Sequence, residues 1–222
     1  MGWTGLIAKH RQSFIVSHLV KFRWPTLLLL CAAPSLLCGG SQPDLRPGDD
    51  VVFDAPSYQF AVESAYLLGI LGNPHSYEVN ANFLTGRLRW GSNLDSQSIF
   101  RGYNQVYLSG EVEPIIRGIE NHYFGINLGF RYNFVRPGSR LSGYFSGGLG
   151  LGLIDSRPDN YGSQGQDFTF NILSVVGLQY KFSEHLSGQL GLLWEHFSNG
   201  GQTDPNPSLN LLGPQLGLSY SF

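Results

Sequence analysis

From Tyr58 to the C-terminus, apolar and polar residues alternate one by one in eight runs, separated by stretches rich in Gly, Pro, Asn, Asp and Ser. A period of two is the mark of a strand with two unlike faces. In "YQFAVESAYLLG", Tyr58, Phe60, Val62, Tyr66 and Leu68 share one face, and Gln59, Ala61, Glu63 and Ala65 share the other. In "YEVNANF", Tyr77, Val79, Ala81 and Phe83 oppose Glu78, Asn80 and Asn82. Keeping Leu88 and Trp90 on the same apolar face then requires a bulge near Thr85 and Gly86. "VYLSGEVE" sets Val106, Leu108 and Val112 against Tyr107, Ser109, Glu111 and Glu113. The fourth run, "YFGINLGFRYNF", alternates Phe124, Ile126, Leu128, Phe130, Tyr132 and Phe134 with Gly125, Asn127, Gly129, Arg131 and Asn133. "LSGYFSGGLGLGL" alternates leucines with glycines, and "FTFNILSVVGLQYKF" alternates large apolar residues with Thr169, Asn171, Gln179 and Lys181. "LSGQLGLLWEHFS" and "GPQLGLSYSF" complete the set.

Eight antiparallel strands close into a small barrel without a free edge. In every run the larger side chains form the continuous apolar row, while Gly, Asn, Gln, Glu, Arg and Lys crowd the other face. A narrow interior takes the small and polar set, and a hydrocarbon surround takes the greasy set. A soluble lipocalin-like barrel would reverse this, with the apolar rows turned inward around a ligand. The predicted class is therefore all-β: an eight-stranded antiparallel transmembrane β-barrel of the bacterial outer membrane, spanning residues 57–222. The turns "RPGS" and "SEH" are short, while the connections after strands 5 and 7 are long, which matches short periplasmic turns and longer outer loops. The connection "GSNLDSQSIFRG" after strand 2 is longer than this asymmetry predicts.

Composition supports this class. Charged residues make up 14% of the chain, aromatics 14%, and there are 29 glycines, with a net charge of −2. No basic stripe invites nucleic acid. Residues 1–40 read as an export signal. Lys9, Arg11, Lys21 and Arg23 precede the short apolar run "TLLLLCAAPSLL", and cleavage is expected after Gly40. Such a run is too short to cross a bilayer, which takes about 20 apolar residues. Residues 41–56 form a polar periplasmic lead-in. Both cysteines, Cys31 and Cys38, lie in the signal, so the mature chain has no disulfide, thiolate metal site or cysteine nucleophile. The six histidines are scattered, with no metal-ligand spacing, and no cofactor or metal is expected.

The candidate chemistry lies at the end of strand 7. Parity carries the row of Leu190, Leu192 and Trp194 on to His196 and Ser198, and the apolar row of strand 8 runs back to Asn210. All three then project outward, where strand ends meet the membrane–water boundary that Trp194 marks. Polar residues cost little at that depth, so the bland reading is a wet strand end. The functional reading is that an imidazole beside a serine makes it a nucleophile, with a third group orienting the ring, open to an ester approaching from the membrane.

The segment "HFSNGG", followed by "NP" and then Asn, resembles the active-site signature of the PagL family of lipid A 3-O-deacylases. The aromatic terminus "QLGLSYSF" resembles the assembly signal of outer-membrane barrels. The resemblance implies an outer-membrane esterase that hydrolyses an ester-linked acyl chain at the 3-position of lipid A. Ser198 would be nucleophile and His196 base, with Asn206, the Gly201 backbone N–H and Asn199 on the oxyanion and substrate side. Where the best-known members have Glu, fourteen residues after the histidine, this chain has Asn210. Asn210 orients a ring without adding charge. Asp204 is the other acidic candidate, whereas Glu195 has inward parity. Implied partners are lipid A or lipopolysaccharide as substrate, outer-membrane lipids and the barrel assembly machinery, with homodimerisation left open. The rival reading is a non-catalytic small outer-membrane barrel that binds lipopolysaccharide or partners through its outer loops.

Overall fold

The structure, a computed structural model, describes residues 58–70, 76–94 and 97–222. The expected export signal and lead-in lie outside the described residues. Eight strands run β1 (Tyr58–Gly69), β2 (Glu78–Asn93), β3 (Gly102–Arg117), β4 (His122–Phe134), β5 (Leu141–Ile154), β6 (Phe168–Lys181), β7 (Leu186–Ser198) and β8 (Leu209–Ser221). Each pairs antiparallel with its sequence neighbours, and β1 pairs with β8 to close the barrel. Closure leaves no unpaired edge, as a hydrocarbon surround demands.

The register fixes the tilt. Starting at Ser198, the paired outward residues are Phe170, Leu151, Ile126, Gly110, Leu84, Val62 and Leu218, and the circuit returns to β7 at Gly188. Gly188 is ten residues below Ser198 on the same strand, so each strand step shifts a paired row by a little over one residue. On passing from β7 to β8, β1 and β2, paired rows therefore climb toward the end that carries the connections 155–167 and 199–208.

The outside is apolar over most of its girth: Leu128, Leu149, Leu190, Val62 and Val176 are each more than half exposed. The inside is packed, and much of it is polar. Arg131, 1% exposed, donates to Asn133, Gln179 and Gln189 and lies 3.6 Å from the centroid of the Tyr144 ring. Arg87 donates to Glu63 at 2.5 Å and to Gln59 at 3.0 Å. A buried guanidinium persists only with such partners. Gly148, Gly150 and Gly152 of β5 are inward positions where neighbours need the volume. A Cβ on Gly150 would lie 1.8 Å from Asn127 Oδ1, and one on Gly148 would lie 2.2 Å from the Tyr107 hydroxyl.

Strand β2 departs from its sequence reading. Tyr77, Val79, Ala81 and Phe83 point inward, at 6% exposure or less, and Glu78, Asn80 and Asn82 point outward. Pairing with β1 runs unbroken from Glu78 to Leu88, so there is no bulge at Thr85 and Gly86. The irregularities fall against β3, at Glu78/Val79 and Arg89/Gly91. The physical reason is a layer of apolar interior at this level, where Val79, Ala81 and Phe83 pack with Leu67, Leu193 and Leu211. Burying each of the larger ones contributes roughly 1.5–3 kcal/mol. Period two alone cannot say which face of a strand is the inner one.

The long connection after strand 2 also resolves. β2 runs on to Asn93, so part of that stretch is strand, and Arg101 Nε donates to the Leu94 carbonyl at 2.5 Å.

Candidate active site

His196 and Asn210 face each other directly across the β7–β8 ladder. Both have outward parity and are half-buried. His196 Nδ1 lies 3.0 Å from Asn210 Oδ1. A carbonyl oxygen only accepts, so in the neutral ring this contact selects the Nδ1–H tautomer, with the lone pair on Nε2. The Trp194 indole stacks on the imidazole, with centroids 6.1 Å apart and planes 22° apart, which limits rotation of the ring. The ladder and the stacked ring therefore fix the base from two sides.

Ser198, the last residue of β7, pairs with Phe170 of β6. Its Oγ accepts from the Gly200 N–H at 3.3 Å, and no hydrogen bond joins it directly to His196. Catalytic hydrogen bonds often tighten only when substrate arrives, so the missing contact does not by itself disqualify the pair. Phe168 packs edge-on against Phe170 at 5.2 Å, giving the serine an aromatic border.

The loop 199–208 is shaped by Asn199, which is fully buried. Its Nδ2 donates to the carbonyls of Thr203 and Pro205, at 2.6 and 3.2 Å, and its Oδ1 accepts from the Gly201 N–H at 2.9 Å. Asn199, expected on the oxyanion and substrate side, spends these side-chain groups on shaping the loop. The Gly201 N–H, expected to point at an oxyanion, is engaged by Asn199. Gly200 and Gly201 have φ of +67° and +73°, the left-handed region that glycine tolerates. Asn206 Oδ1 accepts from the Asn199 N–H at 2.9 Å, which anchors the side chain and leaves its amide N–H groups as donors.

Neither acidic alternative reaches the imidazole. Asp204 makes no bond to His196. Glu195 points into the barrel, 0% exposed, and accepts from Asn171 at 2.9 Å. It groups there with Glu111 and Glu113, the only described residues clustered closely enough to hold a metal ion. That cluster is inside the wall, away from Ser198.

Sequence reading missed the residues that hold the loop. Glu120, 3% exposed, accepts from the Tyr77 hydroxyl at 2.6 Å, from Ser163 Oγ at 2.7 Å and from the Gln164 N–H at 3.3 Å. Gln164 Nε2 then donates to the Pro207 carbonyl at 2.6 Å, and the Gly165 N–H donates to the Pro205 carbonyl at 2.6 Å. One carboxylate therefore ties three connections together, and one of them, 155–167, supports loop 199–208. Its only sequence signal is a lone acidic residue in the short "GIEN" turn.

The family model described as lipid A 3-O-deacylase (PagL) matches residues 75–219. The crystal structure of the outer membrane enzyme PagL superposes with a TM-score of 0.53 at 16% identity, covering 74% of this chain and 99% of that one. The crystal structure of Neisserial surface protein A (NspA) superposes with a TM-score of 0.56 at 12% identity, covering 74% of this chain and 97% of that one. At these identities the two structures speak to the fold alone. The comparison with curated proteins finds no match.

Proposed function

The chain belongs to the lipid A 3-O-deacylase (PagL) family, and we propose that it removes the acyl chain ester-linked at the 3-position of lipid A by a serine–histidine mechanism. It is an outer-membrane β-barrel. The observation that carries the proposal is the His196–Asn210 hydrogen bond on the lipid-facing wall, two residues from an outward serine.

In the first step His196 Nε2 takes the Ser198 proton as Oγ attacks the ester carbonyl. The Asn210 carbonyl, on Nδ1–H, holds the ring while positive charge develops. Asn206 N–H groups receive the oxyanion, and the Gly201 N–H joins them if Asn199 Oδ1 releases it. The tetrahedral intermediate then breaks its bond to the sugar oxygen, which leaves with the proton from His196. Water, deprotonated by the same imidazole, cleaves the acyl-serine and frees a fatty acid. Asn210 contributes orientation without charge, so turnover is expected to fall below that of a site with a carboxylate there. Mass spectrometry of lipid A from cells with the protein, without it, or with Ser198→Ala tests the reading. Loss of one ester-linked chain only with active protein supports it.

The replacement of a carboxylate by Asn210 favours a second reading, a barrel that binds lipid A without cleaving it. The same spectra distinguish the two, because a binder leaves the lipid mass unchanged.

A further inference from the structure

The outer surface at the level of Ser198 is divided. On the β4–β6 side, Phe124, Ile126, Leu151, Leu153, Phe168 and Phe170 point outward. On β2, beside the outward Leu68 of β1, the outward residues near that level are polar. Climbing the register from Trp194 through Leu212 and Leu68 reaches Glu78. Three strand steps raise it by roughly four residues, which puts Glu78 level with Ser198. From Leu190, through Leu216 and Ser64, the same climb puts Asn82 level with Trp194. Asn80 lies between them.

These side chains form a joined set. Ser64 Oγ lies 3.2 Å from Asn80 Oδ1 and 3.0 Å from Asn82 Oδ1. One hydroxyl proton cannot fully serve two carbonyls, so one amide oxygen retains accepting capacity. Tyr66 donates to Glu78 Oε2 at 2.7 Å, and Arg117 Nη1 lies 2.8 Å from Glu78 Oε1 with the Arg117 side chain 64% exposed. The strip lies at and above the level of Trp194, the membrane–water boundary, where packed lipid headgroups take away some of the hydrogen bonds to water that these polar groups would make. An occupant rich in hydroxyls, amides and anionic groups would restore them.

We propose that the outward strip of Ser64, Asn80, Asn82 and the Tyr66–Glu78–Arg117 group is a headgroup subsite. It would bind the sugar part of the substrate lipid, while the chain to be cleaved reaches Ser198 beside the aromatic border of β6. This rests on the lipid A reading above and adds an orientation to it. The strip adjoins the dyad through Asn210, Leu212 and Leu68, so one amphiphile spans both. Asn82 Nδ2 already donates to the Asn80 and Val112 carbonyls at 3.0 and 3.4 Å, so the side chain of Asn80 and the oxygen of Asn82 supply neutral hydrogen bonds to sugar hydroxyls and amides, while the exposed Arg117, paired on one side with Glu78, offers its remaining N–H groups to a phosphate.

The test measures binding with the full chain carrying Ser198→Ala, in nanodiscs containing either lipid A or phosphatidylglycerol. Adding Asn80→Leu and Asn82→Leu should weaken retention of lipid A about tenfold, the scale of one or two net hydrogen bonds. Retention of phosphatidylglycerol should be unaltered, and a soluble, fully deacylated lipid A disaccharide should compete only when the asparagines are present. Equal lipid A affinity with and without the asparagines overturns the subsite. Equal losses for both lipids overturn it too, by marking a general membrane effect. Heat-modifiable gel mobility checks folding, and if the double variant fails it, Ser64→Ala decides by the same criteria at a smaller expected loss. Failure of the catalytic reading looks different: wild-type protein binds lipid A through the strip yet releases no fatty acid.

Discussion

The site joins two kinds of construction. His196 and Asn210 stand on paired strands, where the ladder, the Trp194 stack and parity fix them. Asn206 stands on a loop that no ladder supports. Its position depends on Asn199 within the loop, and on Gln164, Gly165 and Glu120 from neighbouring connections. The strand part is set by the geometry that closes the barrel. The loop part is set by side-chain hydrogen bonds between segments far apart in sequence, each worth about 1 kcal/mol net. His196, the proposed base, should therefore tolerate change around it, while Asn206, proposed for the oxyanion, should be sensitive to distant substitutions.

The hardest break in the strand part is Ser198→Ala or His196→Ala. Each should lower deacylation by on the order of a thousandfold or more, and the double variant should be no worse than the singles, because the two act as one unit. A fatty-acid release assay in detergent measures this. Substantial activity in Ser198→Ala would remove the serine from the mechanism.

A gentler cut separates the partners of the imidazole. Asn210→Ala should cost about tenfold in turnover, the scale of one neutral hydrogen bond. Asn210→Glu should preserve or raise turnover, because a carboxylate also stabilises the imidazolium. Asp204→Ala should change little, since no bond joins Asp204 to the ring. A damaging Asp204→Ala together with a silent Asn210→Ala would reverse the assignment.

The loop part is best probed from afar. Glu120→Ala touches nothing in the dyad, yet leaves the Tyr77 hydroxyl, the Ser163 hydroxyl and the Gln164 N–H without their acceptor. Severalfold lower turnover is expected, along with faster amide exchange in 199–208 and an unchanged barrel melting temperature. Exchange rates identical to wild type would show that the loop does not need this brace.

The smallest effect concerns Asp155, at the foot of loop 155–167. Partial burial raises its carboxyl, but the N–H groups of His122 and Asn121 and the Asn121 amide outweigh this and hold it below the ordinary carboxylate value. The depressed value means that the contact is intact above about pH 4 and is lost as pH falls through the lowered value. Amide exchange at Asn121 and His122 should quicken only in strong acid, and Asp155→Asn should remove that dependence.

The same contrast explains what could be read in the sequence. The period-two rows marked out the eight strands, and on β7 and β8 they pointed His196, Ser198 and Asn210 outward, because the rows they extend, Leu190, Leu192 and Trp194 on β7 and Leu212, Leu216 and Leu218 on β8, are apolar and face out. On β2 the reading inverted, because the apolar interior layer of Val79, Ala81 and Phe83 imitates a lipid-facing row. Glu120, Ser163 and Gln164 were out of reach, since no local pattern records hydrogen bonds that span more than forty residues. Asn199 was noticed for its place in the "SNGG" motif, but its burial and its turn-forming bonds depend on the path of the folded loop.

The most direct test of the central claim is the mass spectrum of purified lipid A incubated with the detergent-solubilised protein, with Ser198→Ala in parallel. The account predicts a species lighter by one ester-linked acyl chain at the 3-position, with the matching free fatty acid, from the wild type alone. An unchanged lipid mass, or the same loss from Ser198→Ala, would contradict it.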